Sequence, residues 1–190
     1  MVREVLFVQG GGAGVHDAWD AALCESLRRE LGAGYDVRYP RMPDEDDPSA
    51  TTWGPAIRRE LTALDDGAVV VGHSVGGLLL VHELVEHPPL RALAAGVLGA
   101  APYVGPGGWP ATGLELPGDL GARLPPGAAV HVVHGLADAT VPPDHADLYA
   151  RAIPQAQVHR LSGRDHQLGD DLSEVATAIR ASAGGPVSSR

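Results

Sequence analysis

Gly72-His73-Ser74-Val75-Gly76 sets a serine between two glycines. It follows a wholly apolar run, Val69-Val70-Val71, and precedes a helical pattern at Leu78, Leu79, His82 and Val85. A serine at such a strand-to-helix turn presents its hydroxyl at the tip of a sharp elbow, and the glycines suit it because side chains beside it would collide. A hydroxyl is a poor nucleophile until a histidine removes its proton, and that histidine needs a carboxylate to fix its tautomer and to stabilise the imidazolium. On an elbow of this kind the acid and then the base follow the serine in chain order, each on a loop after a strand.

Asp138, in Gly135-Leu136-Ala137-Asp138, and His166, in Gly163-Arg164-Asp165-His166, occupy those two places. Asp165 is the rival acid, but a residue adjoining the histidine points away from it. Asp138 could instead cap a helix starting at Pro142 or Pro143. Of the 9 histidines, His82 and His87 fall on a helix, His159 within a strand and His145 too soon after Asp138. His16 is the second candidate and a residue that could line the pocket; Trp109 is another. The oxyanion of an acyl-transfer intermediate would be held by the Val75 N–H at the start of its helix and by a second N–H from Gly10-Gly11-Gly12. Gly11 is the first choice there and Gly12 the second.

The elements that must hold these groups are legible as six short β-prone runs: 5–8, 37–39, 69–71, 96–98, 130–133 and 158–161. Helical patterns lie between them: Trp19, Leu23, Leu27 and Leu31, then Trp53, Ile57, Leu61 and Leu64, and finally Leu172, Val175, Ala176 and Ile179. Asp17 with Asp20, and Gly169-Asp170-Asp171, read as helix caps. Nearly all-apolar strands alternating with helices predict an α/β fold, a three-layer α/β/α sandwich around a six-stranded parallel sheet. If the first strand lies beside the third, the glycine loop borders Ser74 at a topological switch point. Residues 101–126 form a Pro- and Gly-rich connection with a weak helical signal at 118–124. One domain over 1–190 is expected, with 183–190 a frayed tail.

Composition narrows the chemistry. All 14 cationic residues are arginine, which excludes a P-loop lysine, a Schiff-base lysine and a Ser-Lys dyad. A formal charge of -10 disfavours nucleic acid and anionic membrane as partners. Cys24 is the sole cysteine and reads as packing; with no export signal or membrane-spanning run, a cytoplasmic location is expected. His131 and His134, three apart in a strand, point to opposite faces and predict no metal site. Gly10 to Gly14 lacks the third glycine of a dinucleotide fingerprint, so no cofactor is expected. Asp44 to Asp47 reads as a solvated acidic turn.

Together these residues resemble the α/β-hydrolases, and among them the small capless members similar to the retinoblastoma-binding-protein-type serine hydrolases. Beyond the triad, the resemblance rests on the glycine loop leading to His16-Asp17-Ala18-Trp19 and on Tyr39-Pro40-Arg41-Met42-Pro43-Asp44-Glu45-Asp46-Asp47-Pro48 before Trp53. Gln9-Gly10 replaces the His-Gly of many members, and the pocket-protein motif Leu-x-Cys-x-Glu is absent around Cys24. The resemblance implies no cap domain, no cofactor and hydrolysis of small carboxylic esters through an acyl-enzyme. Amide, thioester, lactone or carbon-carbon hydrolysis on the same triad, or a non-catalytic binding protein of this fold, are the alternatives.

Overall fold

The computed structural model describes residues 2–110 and 113–183. Its strands are β1 (Arg3–Val8), β2 (Tyr35–Arg38), β3 (Ala68–His73), β4 (Leu93–Gly99), β5 (Ala129–Gly135) and β6 (Gln157–Leu161), at the six places the apolar runs predict. They form one parallel sheet in the order β2-β1-β3-β4-β5-β6. The helices are α1 (Val15–Ala18), α2 (Asp20–Leu31), α3 (Ala50–Thr62), α4 (Val75–Glu86), α5 (Leu120–Arg123), α6 (His145–Ala152) and α7 (Ser173–Ala183).

Strand alternation divides the core in two, because successive side chains leave opposite faces of a sheet. Val5, Phe7, Val69, Val71 and Val97 meet Leu23 and Leu27 of α2 and Val175 and Ile179 of α7 on one face. Leu6, Val8, Val70, Leu98 and Val132 meet Trp53 and Ile57 of α3, Leu78 and Leu79 of α4, and Tyr149 of α6 on the other. Both faces of the sheet are thus covered, which is why its central strands read as unbroken apolar runs rather than alternating ones. Cys24 is fully buried against the first face, and burial pushes its thiol up to about 11.

Chain order and sheet order part company between β1 and β3. The chain goes from β1 outward to β2, then returns to lay β3 on the other side of β1. The loops after β1 and β3 therefore leave in opposite directions and open a crevice at the carboxyl edge, where ligands of open α/β sheets sit. Register places Val8 beside Gly72, His73 beside Gly99 and Gly135 beside Leu161, so the loops after β1, β3, β5 and β6 emerge at that edge.

Three local readings are corrected. Trp19 is 58% exposed rather than part of the buried stripe, because the expected helix is broken there into α1 and α2, with Trp19 at the junction. Asp20 does not cap a helix with an exposed carboxylate; it is wholly buried. Glu45, within the turn expected to be solvated, is folded back onto the glycine loop. The weak helical signal before β5 is the four-residue α5. From residue 184 onward the expected frayed tail lies outside the described residues, as do positions 111 and 112 of the long connection. No helix among the described residues is long and apolar enough to cross a membrane.

Candidate active site

Ser74 joins β3 to α4 with φ 53° and ψ −132°, a left-handed backbone that a non-glycine residue adopts only when its surroundings force it. The forcing is visible on both sides. A Cβ on Gly72 would sit 2.5 Å from the Gly77 Cα, and one on Gly76 would sit 1.9 Å from the Gln9 carbonyl oxygen. The elbow is thereby pressed against the end of β1, while the Ser74 N–H is tied to the Gly99 carbonyl at 2.8 Å.

The structure brings the three residues singled out from sequence into one hydrogen-bonded line. His166 Nε2 lies 3.0 Å from Ser74 Oγ, and His166 Nδ1 lies 2.8 Å from Asp138 Oδ2. A carboxylate only accepts, so Nδ1 carries the proton and the Nε2 lone pair faces the serine hydroxyl, which is the tautomer a general base requires. Asp138 is fixed in turn: its Oδ1 accepts the Thr140 N–H at 2.8 Å and the Val141 N–H at 2.9 Å. It ties its own loop with one oxygen and faces the histidine with the other; it caps no helix, because α6 begins at His145 with Asp144 before it rather than at Pro142 or Pro143.

β5 and the loop after β6 must approach closely for this to happen. A Cβ at Gly135 would fall 2.3 Å from the Arg164 carbonyl oxygen, and that same oxygen accepts the Ala137 N–H at 2.9 Å. Asp165, the rival acid, is exposed and accepts the Gly169 N–H instead. Burial, the largest influence, holds the His166 imidazole below its ordinary value; the Asp138 hydrogen bond opposes this and the nearby His73 reinforces it.

On the β1 side, Gly11 lies against the elbow: a Cβ there would be 2.8 Å from Val75 Cγ1 and 2.7 Å from Pro48 Cγ. Gly12, the second choice for an oxyanion donor, is ruled out in this conformation because its N–H is given to the Glu45 carbonyl at 2.6 Å. Glu45 holds the loop with its side chain as well. Its carboxylate accepts from Gln9 Nε2 at 2.9 Å, the Gly14 N–H at 3.0 Å and the His16 N–H at 3.2 Å, while Arg41 lies 3.1 Å away. The Gln9 hydrogen bond, with help from those backbone donors and Arg41, keeps the Glu45 carboxyl below the usual range despite some desolvation. Gln9 completes the latch by accepting the Met42 N–H at 3.0 Å.

The two residues expected to line the pocket are placed as follows. His16 stacks flat on Tyr39, with ring centroids 4.2 Å apart, and hydrogen-bonds Asp17 at 2.9 Å. Trp109 is 39% exposed and meets the His145 ring edge-on at 5.5 Å. Among the described residues no group of three or more His, Cys, Asp or Glu is arranged to hold a metal ion. His131 and His134 do part company: His131 faces His159 and Ser182, whereas His134 bonds the Val141 carbonyl at 3.0 Å beside Asp138.

Sequence reasoning missed Asp20 and Glu45. Asp20 had a signal, since it stands three and seven residues before the buried Leu23 and Leu27 and so shares their face. Glu45 had none that separated it from Asp44, Asp46 and Asp47.

No protein-family model matches the chain, and no curated protein is similar to it in sequence. Solved structures are similar in shape. The ydeN gene product of B. subtilis aligns over 97% of this chain and 100% of its own, with TM-score 0.73 and 18% identity. A meta-cleavage product hydrolase from Pseudomonas fluorescens IP01 aligns over 95% of this chain and 89% of its own, with TM-score 0.70 and 18% identity. An α/β serine hydrolase without lid from Xanthomonas campestris aligns over 96% and 82%, with TM-score 0.62 and 16% identity. With its six parallel strands and helices on both faces, the chain therefore has the α/β-hydrolase fold.

Proposed function

We propose that this chain is a serine hydrolase that cleaves small carboxylic esters through an acyl-enzyme, with Ser74 as nucleophile, His166 as base and Asp138 as the acid that orients it. One observation carries the reading: the continuous line Ser74 Oγ, His166 Nε2, His166 Nδ1, Asp138 Oδ2 at 3.0 and 2.8 Å, on a strained elbow. In the first half-reaction Ser74 Oγ bonds to the ester carbonyl carbon as its proton passes to His166 Nε2. The carbonyl oxygen becomes an oxyanion, received by the N–H groups of Val75 and Gly11. Collapse expels the alcohol, which takes the proton back from His166. Water then repeats the sequence on the acyl-serine and releases the acid.

The preference for small esters is supported by what stands between β4 and β5. Among the described residues there, α5 is the single helix, Val104 and Trp109 bridge a tight turn, and none of them forms a lid domain over the elbow. The same short connection supports grouping the chain with the capless, retinoblastoma-binding-protein-type branch that its glycine loop and Tyr39 to Pro48 segment resemble.

Labelling with a fluorophosphonate probe and turnover of p-nitrophenyl acetate test the proposal together. Both should disappear in Ser74→Ala, with turnover down about 10⁴-fold or more. A Ser74→Ala protein that still reacts with the probe removes Ser74 from the chemistry. A wild-type protein that reacts with neither probe nor ester argues for a binding role.

A further inference from the structure

Directly behind the triad lies a second acid and histidine, both buried. Asp20 of α2 is wholly inaccessible, and His73, the residue before the nucleophile, is 3% exposed. Asp20 Oδ2 accepts the Gly10 N–H at 2.6 Å and faces His73 Nδ1 at 2.9 Å. His73 Nε2 faces the His166 carbonyl oxygen at 2.9 Å, and the two imidazole rings lie 5.1 Å apart. A carboxylate and a carbonyl both accept, so each His73 ring nitrogen must donate and the ring holds two protons. The short contact from Gly10 is of the charge-assisted kind, as expected for an ionised carboxylate.

The titratable groups around His73 come from three elements: Asp20 on α2, His166 after β6 and Asp138 after β5. Burial alone would push His73 down, but the Asp20 charge and hydrogen bond, the His166 carbonyl and the more distant Asp138 outweigh it and hold the imidazole above its ordinary value.

We infer that the Asp20–His73 ion pair is a positioning unit of the hydrolytic site, one that ties the glycine loop to the base-bearing loop and sets a fixed positive charge beside His166. The inference rests on the reading of Ser74 and His166 as nucleophile and base. The tie is mechanical: the Gly10 N–H at one end and the His166 carbonyl at the other are joined through two side chains that close beneath Ser74. A Cβ on Gly10 would lie 3.2 Å from His73 Nδ1 and 3.3 Å from Ser74 Cβ, so there is little slack. The tie is also electrostatic. A cation next to His166 disfavours a second proton on it by more than the Asp20 carboxylate behind that cation favours one, which keeps the base neutral to lower pH.

Asp20→Asn separates this from simple packing. Asparagine keeps the shape but cannot hold the imidazolium, and a neutral His73 with one proton cannot donate at both ends. The expected result in hydrolysis of p-nitrophenyl acetate is a fall in kcat of about tenfold with KM nearly unchanged. The midpoint of the acidic limb of kcat/KM should also rise by about half a pH unit or more. His73→Gln should move the midpoint the same way. A folded Asp20→Asn protein whose pH profile overlays the wild type overturns the inference. Should that variant fail to fold, ring-nitrogen NMR of the wild type decides: His73 is expected to be doubly protonated at pH 7, and a singly protonated His73 overturns the inference. If wild-type Ser74 fails to take the fluorophosphonate probe, the hydrolase reading falls first. A labelled wild type with an unmoved Asp20→Asn profile sinks the ion-pair inference alone.

Discussion

Asp138 divides its two oxygens between two tasks, and that division predicts how it fails. Oδ1 accepts two backbone N–H groups, so an amide at this position keeps its oxygen there and turns its NH2 toward His166. The histidine must then accept at Nδ1 and carry its proton on Nε2, where it can no longer take one from Ser74. Asp138→Asn should lower kcat by about 10⁴-fold while the fold, monitored by circular dichroism, stays intact. The base itself sets the pH dependence. As the proposed base, His166 would work only when neutral, and its imidazole is held below the ordinary 6.5, so kcat/KM should be full at pH 7 and fall as the pH drops through a midpoint below 6.5. A midpoint above 7 would show that the environment of His166 differs from the one described. The three residues of this line are legible in the sequence because chain order and loop position constrain them. Asp20 misleads because an aspartate near a helix start normally caps it, and only the tertiary fold reveals that this one faces His73.

The loop after β1 carries no regular structure, and its shape comes from elsewhere. Glu45 accepts from Gln9, Gly14 and His16 with its side chain and from the Gly12 N–H with its carbonyl, so a residue 36 positions beyond Gln9 sets the path on which Gly11 approaches Val75. Replacing Glu45 by Ala should leave the sheet folded but slacken the loop, lowering kcat/KM for aryl esters about tenfold with a larger effect on kcat than on KM. Equal activity in the variant would deny the loop its part in the reaction. The elbow shows the opposite case, in which contact is too close to alter. A methyl group on Gly76 would press on the Gln9 carbonyl at 1.9 Å, and backbone cannot swing aside as a side chain can. Gly76→Ala should cost at least about 2 kcal/mol in a urea melt. Glycine requirements of this kind are written in the motif, whereas the Glu45 latch is a long-range pairing that an acidic run does not advertise.

The sheet explains why so much of the architecture is legible in the amino-acid sequence. Strands buried on both faces must be apolar throughout, so Val69-Val70-Val71 or Val130 to Val133 stand out from their surroundings, and their alternation with helices leaves few arrangements. Strand ends are less visible: β4 starts at Leu93 and β3 extends to His73, beyond the most apolar residues. Trp19 deceives for a related reason, as spacing alone cannot announce that a helix breaks in two. Trp53, by contrast, is fully buried at the centre of the α3 and α4 face. Trp53→Ala should lower stability by about 3–5 kcal/mol, measured by chemical denaturation.

Cys24 sits on α2 one turn beyond Asp20, sealed against the sheet with its thiol pushed up to about 11. A thiol both covered and protonated is inert to disulfide reagents at neutral pH. Reaction must wait until α2 lifts away, and α2 cannot lift without drawing Asp20 from His73 and Gly10. The protein thus carries its own chemical clock: the rate at which a colorimetric thiol reagent reaches Cys24 counts the openings that disassemble the back of the site.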